Sequence, residues 1–212
     1  MPRPKGQTLT EKDIVEAAIV LLEREGESAL GVNRVARELG IQPPSLYNHI
    51  TGNEALRQAV VTEGYRRALD FVRQQVEGVN EPKLALKTIA QALRCFAHDN
   101  PTLYTVTTNH RFSLDYPEFA QNLQGMLKRY TTRLEPLGLK PDEIVYTIRM
   151  LHSAIHGFIQ AEQAGLFVFP QSLDKSYEWM LDTLIDGLMH RQDKPTCSEG
   201  EQNPSIDQTQ LY

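Results

Sequence analysis

The sequence predicts an all-α fold, with a short N-terminal unit of three helices followed by a longer helical region. Three observations predict this fold class. Apolar residues recur at helical spacing in successive segments. Glycine, asparagine or proline stands between those segments. No segment alternates apolar and polar residues as a half-buried β-strand would.

The first helix is predicted between Thr10 and Gly26. Thr10 and Asp13 have the spacing of a capping box, in which two side chains bond reciprocally to the start of a helix. One apolar face follows, formed by Ile14, Ala17, Ala18, Leu21 and Leu22. Glycine is common directly after a helix, so Gly26 is the expected end.

Residues 30–56 predict two short helices joined by a glycine turn, with a further helix directly after them. The first of the two has one apolar stripe, formed by Val32, Val35, Ala36 and Leu39. Gly40 suits a left-handed helix end, after which Ile41 can pack back against the core. Pro43 and Pro44 suit the first turn of the next helix, where a missing N–H costs nothing.

The outer face of that second short helix carries hydrogen-bonding side chains, while Leu46 faces inward. These outer residues are Ser45, Tyr47, Asn48 and His49. A short second helix with such a face is typical of a helix-turn-helix that reads the major groove of DNA. The alternative is a structural helical hairpin with no role in DNA binding.

Helical patterns continue to about residue 191. The expected helices are a long connector from near Glu54 to about Val76, helices opening at Pro82, Pro117 and Pro141, a short helix over 102–108, and a last helix that includes Tyr177 and Leu188. We therefore expect a helix-turn-helix domain over 1–56 and a helical domain over 57–191. The polar segment 192–212 is expected to be a disordered tail.

Charge and composition narrow the class of protein. The net charge of −5 argues against a protein that binds nucleic acid over its whole surface. Even residues 1–56 carry a net charge of −2, although Arg34 and Arg37 lie where a DNA-backbone face is expected. No run of 18 apolar residues and no signal peptide is present, so we expect a cytoplasmic protein. Cys95 is interpreted as a small core residue, and no disulfide or zinc pattern is present.

The chain resembles the TetR family of bacterial transcriptional regulators. The resemblance rests on residues 35–41 (VARELGI), on Leu46, Tyr47 and His49, and on residues 54–56 (EAL). Residues 156–165 (HGFIQAEQAG) also look like the His-Gly signature of one C-terminal subclass, although His152 stands nearest to where that subclass often has tryptophan. The resemblance implies a helical ligand-binding and dimerisation domain after the helix-turn-helix.

Carried over position by position, the family's DNA contacts fall on Gln42, Pro43, Pro44, Ser45, Tyr47, Asn48 and His49. The family usually has a lysine at the position of Asn53 and often a polar or basic contact near Asn33. Loss of that lysine predicts weaker binding and a smaller salt dependence. Arg3 and Lys5 of the N-terminal arm could compensate.

Physical chemistry supports distinct roles at these positions. The Gln42 amide can pair with an adenine edge, and Pro44 can contact a thymine methyl group. Ser45, Tyr47 and His49 suit phosphate oxygens, which set the register on DNA without reading its sequence. Three of these residues have a structural alternative: Tyr47 as a brace for the core, and His49 and Gln42 as ordinary surface residues.

The resemblance and the pattern together predict a homodimer, because one short recognition helix reads too few bases. We expect its interface on the last two long helices, at Gly157, Phe158, Leu181, Leu184, Ile185 and Leu188. Close approach of a partner helix would explain a glycine at position 157 inside a helix. Packing within the core of one chain is the alternative for these residues.

A ligand pocket is expected among aromatic and polar residues of the middle helices, namely Phe96, Tyr104, His110, Phe112, Met126, Tyr130, His152 and His156. The predicted function is a transcriptional regulator, a repressor released from a near-palindromic operator by a small-molecule ligand. Two alternatives stay open. One is a metal-dependent enzyme that uses His152 and His156, although no glutamate follows His152 as hydrolytic zinc sites require. The other is a DNA-binding architectural protein without a ligand. We expect no catalytic residues and no cofactor.

Overall fold

The structure, a computed structural model, describes residues 8–110 and 117–191. Within these residues the chain forms the α-helices α1 (Glu11–Glu25), α2 (Val32–Glu38), α3 (Pro43–Tyr47), α4 (Asn53–Val76), α5 (Pro82–Asp99), α6 (Pro101–Thr108), α7 (Pro117–Leu134), α8 (Pro141–Gln163) and α9 (Leu173–Arg191). Single 3₁₀ turns at Glu27–Ala29 and Glu135–Leu137 were not anticipated. The all-α prediction is confirmed. Arg3, Lys5, Phe112 and the segment 192–212 lie outside the described residues.

Helix α1 begins and ends where the sequence predicts. The Asp13 amide donates to Thr10 Oγ1 at 3.2 Å, and the Thr10 amide donates to Asp13 Oδ2 at 2.9 Å, which completes the capping box. Gly26 follows the helix with a positive φ of 84°, a conformation that glycine adopts without strain. The helix buries its apolar face, including Ile14 and Leu22.

Helix α4 joins the N-terminal and C-terminal parts of the molecule. It packs against α1, α5, α6 and α7. Its buried residues Leu56, Val60 and Val61 belong to one apolar cluster that extends from Ile14 of α1 to Ile185 of α9. The apolar core is therefore continuous past residue 56, so the two parts support one another through α4.

Polar contacts, one of them fully buried, join the C-terminal helices. The Tyr177 hydroxyl donates to the Ala90 carbonyl at 2.8 Å, which joins α9 to α5. Arg94 of α5 forms a bidentate pair with Glu162 of α8 at 2.8 and 2.6 Å, and a second ion pair with Asp174 of α9. Its guanidinium also lies over the Phe158 and Tyr177 rings, at 5.7 and 4.9 Å from their centroids.

The observed burial of the predicted interface residues and of Cys95 differs from the sequence expectations. Leu181, Ile185 and Leu188 are buried by the chain's own helices, which is the core alternative that the sequence left open. Leu184 and Phe158 are partly buried against the same core. Cys95 is exposed, so its interpretation as a core residue is wrong. No helix of the described part of the chain combines the length and the apolar character that a bilayer crossing requires.

Candidate functional site

The turn between α2 and α3 orients the second short helix. Gly40 has a φ of 67°, in the left-handed region. The Gly40 amide donates to the Arg37 carbonyl at 3.1 Å, and the Ile41 amide donates to the Ala36 carbonyl at 3.0 Å. This pair of bonds is a Schellman motif, which ends α2 and returns the partly buried Ile41 to the core. The predicted glycine turn is therefore present.

Helix α3 presents a continuous polar face to solvent. Leu46 is fully buried beneath it, and Ile50 follows as a second buried anchor. We call the exposed side chains the reading surface; they are Gln42, Pro44, Ser45, Tyr47, Asn48 and His49. Tyr47 is 52% exposed, which favours a contact residue over a brace of the core. Pro43 is partly buried at the first position of the helix.

Asn33, Arg34 and Asn53 line one shallow groove where α2 and α4 begin. Asn53 Oδ1 accepts a hydrogen bond from the Val32 amide at 2.9 Å. The start of α2 has no cap from its own N-terminal flank, where Gly31 stands, so Asn53 satisfies one of its free N–H groups. Sequence spacing could not reveal this contact, because the two residues are 21 positions apart.

Ion pairs within the N-terminal unit occupy most of the arginines beside the reading surface. Arg24 binds Glu25 at 2.8 Å and Glu38 at 2.7 Å, and Arg34 also binds Glu25. The hydrogen bond from Arg24, followed by that from Arg34, lowers the pKa of Glu25. Arg37 is exposed, and no ion pair joins it to another described residue. The acidic character of this unit therefore neutralises cations that could face DNA phosphates.

A cavity of about 290 Å³ lies among helices α4 to α8. Its walls include the predicted pocket residues Phe96, Tyr104, Met126, Tyr130, His152 and His156. This volume corresponds to roughly ten water molecules at about 30 Å³ each. An architectural protein without a ligand would be expected to have a filled C-terminal core, so the cavity removes the support for that alternative.

One sequence expectation near the cavity needs correction. His110 is not among the residues that line the cavity, and its Nε2 bonds to Gln58 Oε1 at 2.8 Å. Gly157 lines the cavity, and its contact with a helix of a second subunit stays a prediction. A Cβ atom at Gly157 would meet no other atom within 4 Å, so no tight packing against the described residues explains the glycine.

A chain of aromatic and imidazole groups forms one wall of the cavity. The Tyr104 hydroxyl is hydrogen-bonded to His156 Nδ1, and the two rings stack with centroids 5.4 Å apart. The His152 ring lies 4.0 Å from that of His156. Burial, with a smaller effect from His152, lowers the pKa of His156 to about 3, so its imidazole is neutral at physiological pH. With Nδ1 bonded to Tyr104, Nε2 is left to donate or to accept one hydrogen bond with a ligand, according to the tautomer.

His152 and His156 are not joined by further metal-ligating side chains in the described part of the chain. No group of three or more His, Cys, Asp or Glu side chains there is arranged to hold a metal ion. His156 already uses Nδ1 to bond Tyr104. The signature residues 156–165 have other roles: His156, Gly157 and Gln160 line the cavity.

Helix α6 connects the cavity wall to the N-terminal unit. Its residues Tyr104 and Thr108 line the cavity. At its other end, Glu23 of α1 accepts hydrogen bonds from the Thr102 amide at 3.2 Å and from the Leu103 amide at 2.7 Å. A carboxylate at a helix N-terminus satisfies free N–H groups and interacts favourably with the helix dipole. Sequence reasoning missed Glu23, because its partners lie about 80 positions away.

Comparison with known proteins decides the family. Residues 14–60 match the description "Bacterial regulatory proteins, tetR family", and residues 86–184 match "Tetracyclin repressor-like, C-terminal domain". The HTH-type transcriptional regulator Rv0681 of Mycobacterium tuberculosis is 32% identical over 161 residues, which cover 74% of this chain and 72% of that protein. The chain belongs to the TetR family.

A further relative and two solved structures are consistent with this family and its fold. The HTH-type transcriptional regulator YobS of Bacillus subtilis is 26% identical over 85% of this chain and 93% of its own length. Among solved structures, a TetR variant from Acinetobacter baumannii AYE in complex with minocycline has a TM-score of 0.68 at 21% identity, covering 87% of this chain and 99% of that one. Streptomyces coelicolor ActR in complex with (S)-DNPA has a TM-score of 0.65 at 20% identity, covering 87% and 99%. At these identities the structural likeness shows the fold.

Membership of the TetR family gives the biochemical class. The protein is a DNA-binding transcriptional regulator. The family implies binding to DNA and dimerisation, and it is a class of regulators rather than of enzymes. The helix-turn-helix predicted from residues 30–56 thus lies inside the matched N-terminal region.

Proposed function

We propose that this regulator is a homodimeric repressor, released from a near-palindromic operator when a small molecule binds in the cavity. One observation carries the proposal: α6 lines the cavity and also bonds through its first turn to Glu23 of α1. A ligand that displaces α6 would therefore also displace α1. Such a displacement changes DNA affinity only if the ligand binds the two arrangements unequally.

The reading surface supplies the proposed contacts with DNA. Gln42 and Pro44 face base edges, while Ser45, Tyr47 and His49 bond phosphate oxygens. Asn48 can do either. Asn33 and Asn53 contact the adjacent DNA backbone. Arg3 and Lys5 are the DNA contacts that we propose for the N-terminal arm. Exposure supports these roles for the described residues. Two such surfaces, one per subunit, would read half-sites about 34–36 Å apart.

Exposed apolar residues between α8 and α9 support a dimer interface near the predicted helices. Val168 and Phe169 are 81% and 79% exposed, and Trp179 on α9 is 73% exposed. We propose that a second copy of the chain covers these residues, together with the partly buried Phe158 and Leu184. Phe169→Asp should lower the mass measured by light scattering to that of a monomer. Leu84→Asp, at an exposed apolar residue of α5, should leave the dimer intact.

DNA binding is tested by fluorescence anisotropy with fragments from upstream of the protein's own coding region. We expect a discrete, saturable complex with a fragment that contains a near-palindrome. The complex should not form with a scrambled fragment of the same composition. Absence of any discrete complex would count against the proposed operator.

Coupling between the cavity and the DNA-binding end is tested by filling the cavity. Ala68 of α4 lines it, so Ala68→Phe places a ring where a ligand would lie. We expect operator affinity to fall severalfold, and Glu23→Gln in the same protein to restore part of it by loosening α6 from α1. Gln74→Phe, at an exposed position of α4, is the control. Equal operator affinity of Ala68→Phe and wild type would contradict the coupling.

A further inference from the structure

The charged side chains in the cavity walls are already engaged within the chain. Arg73 forms an ion pair with Asp70 at 3.3 Å, and its side chain is 56% exposed. Arg133 also has a partner within the chain. No aspartate or glutamate stands among the described lining residues. A charged ligand would therefore have to break an existing interaction or remain unpaired in a largely apolar space, and either is costly.

The tyrosines and histidines of the walls are uncharged at physiological pH. Burial raises the pKa of Tyr65 to about 12, and it raises the pKa of Tyr104 and Tyr130 as well, so their hydroxyls stay protonated. Burial lowers the pKa of His152 and of His156, so both imidazoles are neutral. These walls thus offer a ligand neutral hydrogen-bonding groups.

Two imidazoles supply polar atoms that a ligand can reach. His156 Nδ1 is bonded to the Tyr104 hydroxyl, so Nε2 is left for one hydrogen bond with a ligand. The His152 ring lies 4.0 Å from that of His156, keeps exposed surface and forms no hydrogen bond with a described residue. Each neutral imidazole nitrogen either donates or accepts, according to the tautomer. A ligand hydroxyl matches both tautomers, because it donates and accepts, whereas a carbonyl oxygen only accepts.

Rings surround this polar wall and set the shape of the ligand. The Tyr104 and His156 rings lie within 10° of parallel, and both residues line the cavity, so a flat ring can extend their stack. Phe96, Tyr65 and Tyr130 add further ring faces to the walls. The volume of about 290 Å³ is near the lower end of the range of about 300–1,000 Å³ for ligand pockets. The space therefore suits a small aromatic body.

We propose that the cavity binds an uncharged aromatic compound whose hydroxyl group bonds to His152 and His156 and whose ring system packs against the stack of Tyr104 and His156. This inference rests on the proposed ligand-sensing function and specifies its ligand. The class is that of small phenols and aromatic alcohols.

The experiment compares probes of one size that differ in a single property. Isothermal titration calorimetry on the full chain at pH 7, in buffer with a constant small fraction of dimethyl sulfoxide, uses 2-naphthol, which is uncharged at this pH. Naphthalene lacks the hydroxyl, decahydro-2-naphthol lacks the aromatic rings, 2-naphthoate is an anion and 2-naphthylmethylammonium is a cation. We expect 2-naphthol to bind about tenfold or more tightly than each of the others, the difference that one hydrogen bond can supply.

Each comparison can overturn one part of the proposal. Equal or tighter binding of the anion or the cation would overturn the uncharged class. Equal binding of naphthalene would overturn the hydroxyl contact, and equal binding of decahydro-2-naphthol would overturn the aromatic body. Failure of 2-naphthol to bind would overturn the proposed ligand as a whole.

Substitution of the histidines tests the assigned contacts. His152→Phe and His156→Phe each keep a ring and remove its nitrogens, so we expect 2-naphthol to bind about tenfold more weakly and naphthalene to bind as before. His190→Phe makes the same change on α9, outside the cavity walls, and should alter neither. Ala68→Phe should abolish binding of both probes, because its ring occupies the cavity.

His156 also bonds Tyr104, so His152→Phe keeps the test decisive if His156→Phe does not fold. Unchanged affinity of His152→Phe for 2-naphthol would overturn the assigned contacts. The operator and cavity-filling experiments judge the proposed function independently, since they need no ligand.

Discussion

The reading surface and the cavity are built in opposite ways. The reading surface comes from one segment, residues 42–49, placed by the glycine turn before it and by the two prolines that open α3. The cavity takes its walls from helices α4 to α8, which span more than 90 positions of the chain. The first depends on local backbone preferences, and the second on how long helices rotate and cross. Local sequence therefore predicts which residues lie on the exposed face of α3 better than which residues line the cavity.

Tyr47→Ala tests the reading surface and has the largest expected effect. Tyr47 is half exposed, so its loss should leave the free energy of unfolding nearly unchanged while operator affinity falls about 10- to 100-fold, equivalent to the roughly 1.5–3 kcal/mol of a hydrogen bond to a charged phosphate oxygen. Fluorescence anisotropy and chemical denaturation give the two quantities. Tyr47→Phe separates the hydroxyl from the ring. A large loss of stability in Tyr47→Ala would instead favour a role as a core brace.

Two glycines inside helices, Gly64 and Gly157, test the packing between helices that the cavity depends on. A Cβ atom at Gly64 of α4 would lie 2.8 Å from Leu103 Cδ1 of α6, whereas one at Gly157 would meet nothing within 4 Å. Gly64→Ala should therefore lower the free energy of unfolding by about 1–3 kcal/mol through overpacking. Gly157→Ala should raise it by up to about 1 kcal/mol through helix propensity. Urea denaturation measures both, and changes of the same sign would contradict the packing described.

The cavity should also make stability depend on pH. The pKa of His156 is about 3 in the folded chain, beside Tyr104 and His152, against 6.5 for an ordinary histidine. The unfolded state thus binds more protons below pH 6.5, so stability is full above that pH and falls as the pH decreases towards 3. Between pH 7 and pH 5 we expect a loss of about 1–2 kcal/mol.

Urea denaturation at several pH values measures this loss. His156→Gln should reduce the pH dependence by the same amount, since glutamine does not titrate. The pKa of His152 is also lowered by burial, so His152→Gln should show a smaller reduction of the same sign. Identical pH profiles for wild type and His156→Gln would show that His156 is not held neutral.

The smallest expected effect concerns the acidic residues beside the reading surface. Glu25 binds Arg24 and Arg34, so Glu25→Gln should release Arg34 towards DNA phosphates. Operator affinity should rise severalfold, and the salt dependence of binding should steepen by up to about one phosphate contact. Glu135→Gln makes the same change of charge at an exposed site remote from α3. An equal gain from both variants would reduce the effect to net charge.

Sequence reasoning located several features whose causes are local. The capping box at Thr10, the left-handed Gly40 and the burial of Leu46 all depend on residues within a few positions of one another. Prolines open α5, α6, α7 and α8 close to the expected residues. Pocket residues were partly found, because aromatic and polar side chains on middle helices are enriched in such sites. His110 was expected in the cavity wall but is not among its lining residues; it bonds to Gln58 of α4, a contact that sequence spacing does not reveal.

The helices, the glycine turn and the exposed face of α3 are predictable from sequence, because each follows from backbone preferences and helical periodicity over a few residues. Only the tertiary structure decided that Asn53 caps α2, that Glu23 holds α6, and that Leu181 and Ile185 lie in the core of one chain. It also brought residues of five helices, α4 to α8, to the walls of one cavity. These contacts depend on how each helix is rotated about its axis and which helix it meets. Helix rotation and helix pairing depend on side-chain packing across the whole chain, so no single segment of the sequence predicts them.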